Sequence, residues 1–208
     1  MFDQIYSMLT SGDTKHFDPV SLRPAIKPYT IYIDGISKVF AATGVRVGWS
    51  MGPAHVIAKM RALLTHMGAW SPMPEQKATA EFLMNDKAID SYVHSFKKEL
   101  EERLWRIHDG FIALKNKGFA VDSISPQAAI YLTINLNLKG KKVGDPVLEN
   151  QSDVTDYILS EAKLAVVPFY AFGADKQSPW YRLSVGTCKK EEINEMLSKL
   201  ETALQKLS

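Results

Sequence analysis

The chain is 208 residues long, with 46% hydrophobic residues, 23% charged residues and a formal net charge of +2. This length makes one or two domains and buries about 70% of the surface that the unfolded chain exposes. The near-neutral balance argues against a dedicated binder of nucleic acid or of a membrane surface, because such affinity rests on massed positive charge. The one cysteine, Cys188, excludes an internal disulfide and fits a reducing compartment. No stretch reaches the ~18 consecutive apolar residues of a membrane span. The opening residues, acidic at Asp3 and without a basic run, do not read as a secretory signal. The expected address is the cytoplasm. No internal repeat stands out.

Residues 1–29, punctuated by Gly12, Pro19, Pro24 and Pro28, read as irregular. Residues 30–34 are a β-branched and aromatic run and predict a strand. Residues 45–51 predict a second, with Val45, Val47 and Trp49 on one face. The polar loop from Gly35 to Gly44 between them holds Lys38, and a helix is predicted at 53–67. Pro72 and Pro74 then mark a break. Helices are predicted at 75–84 and 87–117. The longer one carries Ile89, Tyr92, Val93, Phe96, Leu100, Leu104, Ile107, Phe111 and Leu114 as a single apolar stripe. Lys115, Lys117 and Gly118 suit its end.

Further strands are predicted at 128–136, 164–168 and 181–185, the first with Ile130, Leu132 and Ile134 on one face. Helices are predicted at 152–163 and 189–206. In the last, Ile193, Met196, Leu197, Leu200 and Leu204 form the stripe to be buried. The chain up to residue 75 thus supplies two strands and a helix without the rest of a sheet. Residues 76–208 read as a small α+β domain led by a long helix.

The segment richest in chemistry runs from Ser37 to Trp49. A lysine in a loop between strands is followed eight residues later by Arg46, with Gly44 and Gly48 allowing close backbone approach. A lysine shielded from water beside another cation becomes nucleophilic towards a carbonyl. An arginine nearby can grip a phosphate bidentately. The pair therefore fits a Schiff-base site for a phosphorylated aldehyde, although a bare Lys-x7-Arg spacing is by itself a solvated surface pair. The five histidines (His16, His55, His66, His94 and His108) show no metal-ligand spacing with Cys or Glu. There is no Gly-x-x-x-x-Gly-Lys phosphate loop. Lys139, Lys141 and Lys142 read as a solvated basic loop, Cys188 as an inert packed thiol, and Trp105 and Met84 as core or interface.

The full run Ser37-Lys38-Val39-Phe40-Ala41-Ala42-Thr43-Gly44-Val45-Arg46-Val47-Gly48-Trp49 closely resembles the cofactor-lysine signature of the fold-type-I, pyridoxal-phosphate-dependent class I/II aminotransferases. That signature reads Ser-Lys, small residues, then Thr-Gly-x-Arg-x-Gly followed by Trp or Tyr. The family's Asp-x-x-Tyr is matched by Asp3-Gln4-Ile5-Tyr6, with Asp3 standing 35 positions ahead of Lys38. Trp180-Tyr181-Arg182-Leu183-Ser184-Val185-Gly186 resembles the family's C-terminal arginine strand, with Arg182 lying 144 positions after Lys38.

The resemblance implies pyridoxal 5′-phosphate as cofactor and amino-group transfer between an amino acid and a 2-oxo acid. Lys38 would be the catalytic, cofactor-holding lysine. Asp3 would pair with the ring nitrogen, Tyr6 with the ring oxygen and Arg46 with the phosphate. Arg182 would bind the substrate α-carboxylate. A homodimer is implied, with neither nucleic acid nor membrane as partner. Two positions depart from the pattern. Gly35 stands where some members have a phosphate-binding serine, and Pro168-Phe169 stands where the family has Pro-Gly.

The implied fold is α/β, the C-terminal portion of the transferase fold. Part of the large-domain mixed sheet falls in residues 1–75, and the small α+β domain in 76–208. The resemblance spans only that half of the family, which reads as a truncated form, a split gene product or an aberrant reading frame. Association of the isolated chain through unpaired sheet edges is expected, and activity of the isolated chain is not. A fold-type-I lyase acting at Cβ or Cγ would use the same residues. A non-catalytic fragment or effector-binding domain of this fold is the other alternative. A regulator would need a DNA-binding helix-turn-helix domain upstream, which these residues do not supply.

Overall fold

The computed structural model describes residues 1–208. They divide into two units, Met1–Lys97 and Lys98–Ser208. No helix is long and apolar enough to cross a membrane.

The first unit is built on a three-stranded sheet in the order β1–β2–β3. β1 (Phe2–Asp3) runs parallel to β2 (Tyr32–Gly35), and β2 runs antiparallel to β3 (Gly48–Met51). The stretch read as irregular therefore contains a strand, too short to show a period of two. It also contains a helical turn, α1 (Pro19–Leu22), and a 3-10 turn at Pro24–Tyr29. Asp18 caps α1 by accepting from the backbone N–H groups of Val20 and Ser21, both at 2.9 Å. The same carboxylate accepts from the Tyr32 hydroxyl at 2.5 Å, tying this segment to β2.

The second predicted strand forms only from Gly48. Arg46 sits in the left-handed region at φ 61°, and a turn precedes it. α2 (Ala54–Met67) ends at Gly68, whose left-handed φ of 65° lets its N–H bond the Leu64 carbonyl. α3 (Met73–Phe82) follows, and α4 (Asp86–Asn116) begins in this unit and ends in the next.

The second unit holds an antiparallel sheet in the order β4–β5–β7–β6. Its strands are β4 (Val121–Ser123), β5 (Tyr131–Leu136), β6 (Val167–Pro168) and β7 (Trp180–Ser184). β4 escaped the sequence reading because three residues show no alternation. β5 starts later than predicted, after Ala129 at φ 68°. Leu132, Ile134 and Leu136 of β5 and Tyr181 and Leu183 of β7 are buried. So are Leu100, Leu104, Ile107, Phe111 and Leu114 of the α4 stripe.

α5 (Gln151–Ala162) opens on a capping box, in which the Asn150 side chain accepts from the N–H of Asp153 while the Asp153 carboxylate accepts from that of Asn150. α6 (Ile193–Gln205) buries Ile193, Leu200 and Leu204, whereas Met196 and Leu197 are only partly covered. Gly110 of α4 lies where a Cβ would come within 2.3 Å of the Leu197 side chain, so a small residue is needed there for α4 and α6 to approach. Trp105 and Met84, read as core or interface, are both exposed.

Candidate active site

Three segments of the first unit reach one end of its sheet. β1 and β2 are parallel, with Asp3 beside Ile33, so both carboxyl ends point the same way. β3 runs back antiparallel from Gly48, which lies opposite Gly35, so the approach to β3 is at that same end. Asp3 and the turn after it, the loop after Gly35, and Arg46 just before β3 are thereby gathered together. Ligands of α/β sheets bind outside the carboxyl ends of parallel strands.

Asp3 ends β1, and its Oδ1 accepts from the Ile5 N–H at 3.0 Å. The turn behind it is held by Ser7 N–H on the Gln4 carbonyl at 2.8 Å and by Leu9 N–H on the Tyr6 carbonyl at 2.9 Å. Tyr6 is partly buried. Lys38 lies in the turn after β2, braced by Phe40 N–H on the Ile36 carbonyl at 3.3 Å and by Ala41 N–H on the Lys38 carbonyl at 3.2 Å. It is partly buried, and none of the ion pairs of the chain uses it. Arg46 is exposed, and its Nη1 donates to the Thr43 carbonyl at 2.8 Å. Ala41 and Arg46, flanking the turn, both hold positive φ, 49° and 61°. Left-handed backbone outside glycine costs free energy and is found preferentially at functional sites.

Glycines fix how closely these segments meet. A Cβ on Gly35 would lie 2.9 Å from the Val47 carbonyl oxygen and 3.0 Å from Gly48 Cα. The absence of a serine at this position thus has a steric reason. A Cβ on Gly48 would lie 3.0 Å from the Asp34 carbonyl oxygen, whereas Gly44 faces open space. Of the two glycines singled out in the sequence, only Gly48 is needed for close approach.

Sequence reasoning missed Asp34. This partly buried carboxyl ends β2, accepts from the Gly35 N–H at 2.7 Å, and lies 3.4 Å from Gln4 Nε2. Burial pushes it above the ordinary carboxylate range, Asp3 adds to the effect and His16 opposes it. Its signal in the sequence was an acid at a strand end directly before a glycine.

Arg182 belongs to the second unit. On β7 it stands opposite Thr133 of β5 and Val167 of β6. Its guanidinium lies between two rings, 4.4 Å from the centre of Tyr131 and 4.3 Å from that of Phe172. Stacking on aromatic faces stabilises the cation and fixes its plane. No carboxylate of the chain pairs with it. Phe172 is brought there by the 3-10 turn Phe169–Phe172, which starts directly after Pro168 and closes on Gly173 at φ 90°. That turn occupies the place where the sequence carries Pro168-Phe169. Cys188 is half-buried, and burial pushes its thiol up. His108 is buried against Ser123 Oγ at 3.0 Å.

A mixed sheet with a lysine turn at its carboxyl end, followed by an antiparallel α+β unit, makes an α/β chain. The model of the family "Aminotransferase class I and II" matches residues 1–200, and the chain belongs to that family. The aspartate aminotransferase of Geobacillus stearothermophilus is 30% identical over 205 residues, covering 99% of this chain and 47% of the relative. That of Rhizobium meliloti strain 1021 is 27% identical over 215 residues, covering 100% and 48%. The crystal structure of the Rhizobium meliloti aspartate aminotransferase matches with a TM-score of 0.82 at 26% identity, over 99% of this chain and 49% of that one. The aromatic aminotransferase of Pyrococcus horikoshii OT3 matches with a TM-score of 0.84 at 25% identity, over 98% and 50%. The chain spans about half the length of the curated relatives it matches.

Proposed function

We propose that this chain carries the lysine-bearing half of a pyridoxal-phosphate-dependent aminotransferase, which moves an amino group between an α-amino acid and a 2-oxo acid. The observation that carries the reading is the convergence of Asp3, Tyr6, Lys38 and Arg46 on one end of the β1–β2–β3 sheet. The donor set suits the cofactor: a primary amine outside every ion pair, an exposed guanidinium, a carboxylate and a phenol. Lys38 Nζ would hold its aldehyde carbon, Arg46 its phosphate, Asp3 its ring nitrogen and Tyr6 its ring oxygen. When bound, the cofactor supplies an electron sink for the pair left on the substrate Cα.

Lys38 Nζ would act as the base towards the Cα proton and as the acid that returns it. The Asp3 carboxyl, facing the ring nitrogen, would favour its protonated form. Arg182, its plane set by Tyr131 and Phe172, would grip the α-carboxylate through its fork of N–H groups. In this reading residues 1–75 belong to the cofactor-binding domain and 76–208 to the small domain. The working unit is a homodimer, and the lone Cys188 suits the reducing cytoplasm. Coverage of half the relatives' length favours one alternative, a fragment that binds the cofactor only together with the other half.

The test is a titration of the purified chain with pyridoxal phosphate, following the absorbance of the lysine-bound cofactor. A saturable band lost in Lys38→Ala is the expected result. Equal, weak and unsaturable uptake by both proteins would favour the fragment reading. In a full-length context, Lys38→Ala should abolish turnover, while Arg182→Lys should chiefly raise KM. Near-normal turnover in the lysine variant would overturn the mechanism. Assaying a 2-oxo acid balanced by a new amino acid, against ammonia, separates transfer from a lyase reaction.

A further inference from the structure

The turn carrying Asp3 and Tyr6 and the turn carrying Lys38 are far apart in sequence, so something must hold them in register. Between them stands the Asp34 carboxyl. On one side it accepts the Gly35 N–H at 2.7 Å, at the residue where β2 gives way to the lysine turn. On the other it faces Gln4 Nε2 at 3.4 Å, and Gln4 lies directly between Asp3 and the rest of its turn. The Gln4 backbone N–H is itself fixed to the Ile33 carbonyl at 2.9 Å, so the Gln4 side chain starts from a defined place beside β2. Gly35 is itself paired with Gly48 of β3, and its N–H is the donor to the Asp34 carboxyl. Both hydrogen bonds of the Asp34 carboxyl therefore bear on the geometry of the site end of the sheet.

We infer that Asp34 is a positioning residue for the cofactor site: bridging the Gln4 side chain and the Gly35 N–H, it sets the Asp3–Tyr6 turn against the Lys38 turn. The inference rests on the site reading above. Asp34 touches neither substrate nor cofactor in this role and acts through Gln4 and Gly35. The charged and titratable groups around it are Asp3 from β1, His16 from the segment after the first turn, and Arg61 of α2, which lines the same cleft. A bridge made by hydrogen bonding tolerates an amide in place of the carboxyl. Asparagine keeps an acceptor for Gly35 N–H and can meet the Gln4 amide with its ends exchanged.

The test compares Gln4→Ala, Asp34→Ala, Asp34→Asn and the double variant Gln4→Ala/Asp34→Ala with the unaltered chain and with Lys38→Ala. One readout is pyridoxal phosphate affinity and the pH midpoint of the bound absorbance band. The other needs no cofactor: amide hydrogen exchange of residues 4–9 and 36–41. Each alanine variant should weaken affinity about tenfold, displace the pH midpoint, and speed exchange in both segments. The double variant should be no worse than the poorer single variant, as two ends of one bridge require. Asp34→Asn should recover both affinity and protection. Alanine variants with unchanged affinity, midpoint and exchange, alongside a band lost in Lys38→Ala, would overturn the inference and leave the site reading standing. A band that survives in Lys38→Ala would overturn both. Unchanged exchange in both segments overturns the bridge whatever the affinity.

Discussion

At the scale of single residues, the lysine turn leaves little room for substitution. Gly35→Ala would drive a Cβ to 2.9 Å from a backbone oxygen and 3.0 Å from a backbone Cα, which no side-chain rotation relieves. It should destabilise the first unit by about 1–3 kcal/mol, read as a lower denaturant midpoint for that unit. Asp34 gives a second prediction with a definite sign. Its folded-state value is raised, chiefly by burial, so its neutral form is the one favoured by folding. Its contribution to stability is fully present below the unfolded value of about 3.9 and is lost as pH rises through the folded value. Asp34→Asn should remove that loss, and its stability relative to the unaltered chain should climb between about pH 4 and neutrality in a series of urea titrations. The residues of the site divide by legibility. Lys38 and Arg46 sit in one short run, and Asp3-Gln4-Ile5-Tyr6 in another, so both could be read locally. Gln4 and Asp34 are 30 positions apart, and their meeting depends on the parallel pairing of β1 with β2, which no periodicity announces.

At the scale of elements, the long helices were legible, and so was β6 within the run read at 164–168, whereas β1 and β4 were not. α4 carries its apolar stripe through most of its 31 residues, α5 adds a capping box with Asp153 in its first turn, and α6 repeats the apolar stripe with Glu195 in its first turn. β1 and β4 have two and three residues, too few to show a period of two, and each forms by pairing with a strand that the sequence shows separately. Two contacts anchor α5. Asn150 accepts from Ser152 N–H at 2.8 Å and Asp153 N–H at 3.1 Å, so Asn150→Ala should cost about 1 kcal/mol in a denaturation experiment. The Tyr181 hydroxyl donates to Gln151 Oε1 at 2.5 Å, joining β7 to the start of α5 in a buried setting. Tyr181→Phe leaves that oxygen without its donor and should cost about 1–3 kcal/mol. Burial pushes the Tyr181 phenol up to about 12. The stability that the neutral phenol lends is present below about pH 10, the unfolded value, and is lost as pH rises through the folded value of about 12. An ultraviolet pH titration should find one tyrosine ionising well after the exposed ones.

At the scale of the whole molecule, burial is uneven. In the first unit the buried apolar side chains are Leu9, Ile36, Val39, Val47 and Val93, and α2 buries no residue at all. Leu63, Met67 and Trp70 are 62%, 74% and 53% exposed, and β1 and β3 each have a strand neighbour on one side only. Most of the core lies in the second unit. Regions with few buried contacts open at low free-energy cost. Amides of α2 and α3 should therefore exchange fastest and those of β5, β7 and α5 slowest, measured by hydrogen exchange with mass spectrometry. Exposed apolar surface and open edges also favour self-association. Sedimentation of the isolated chain should show a mass that grows with concentration, and a constant monomer mass over a wide range would refute this.

The left-handed backbone at Arg46 sets stability and binding against each other. Glycine adopts φ near 61° without penalty, whereas arginine does so at a cost of order 1–3 kcal/mol. Arg46→Gly should therefore relax the turn and surrender the one guanidinium proposed for the phosphate. Selection of this chain for heat resistance alone would drift towards glycine or asparagine at position 46 and breed a sturdier scaffold with a silent anion site. Retaining arginine against that drift would need a second selection, one for ligand capture.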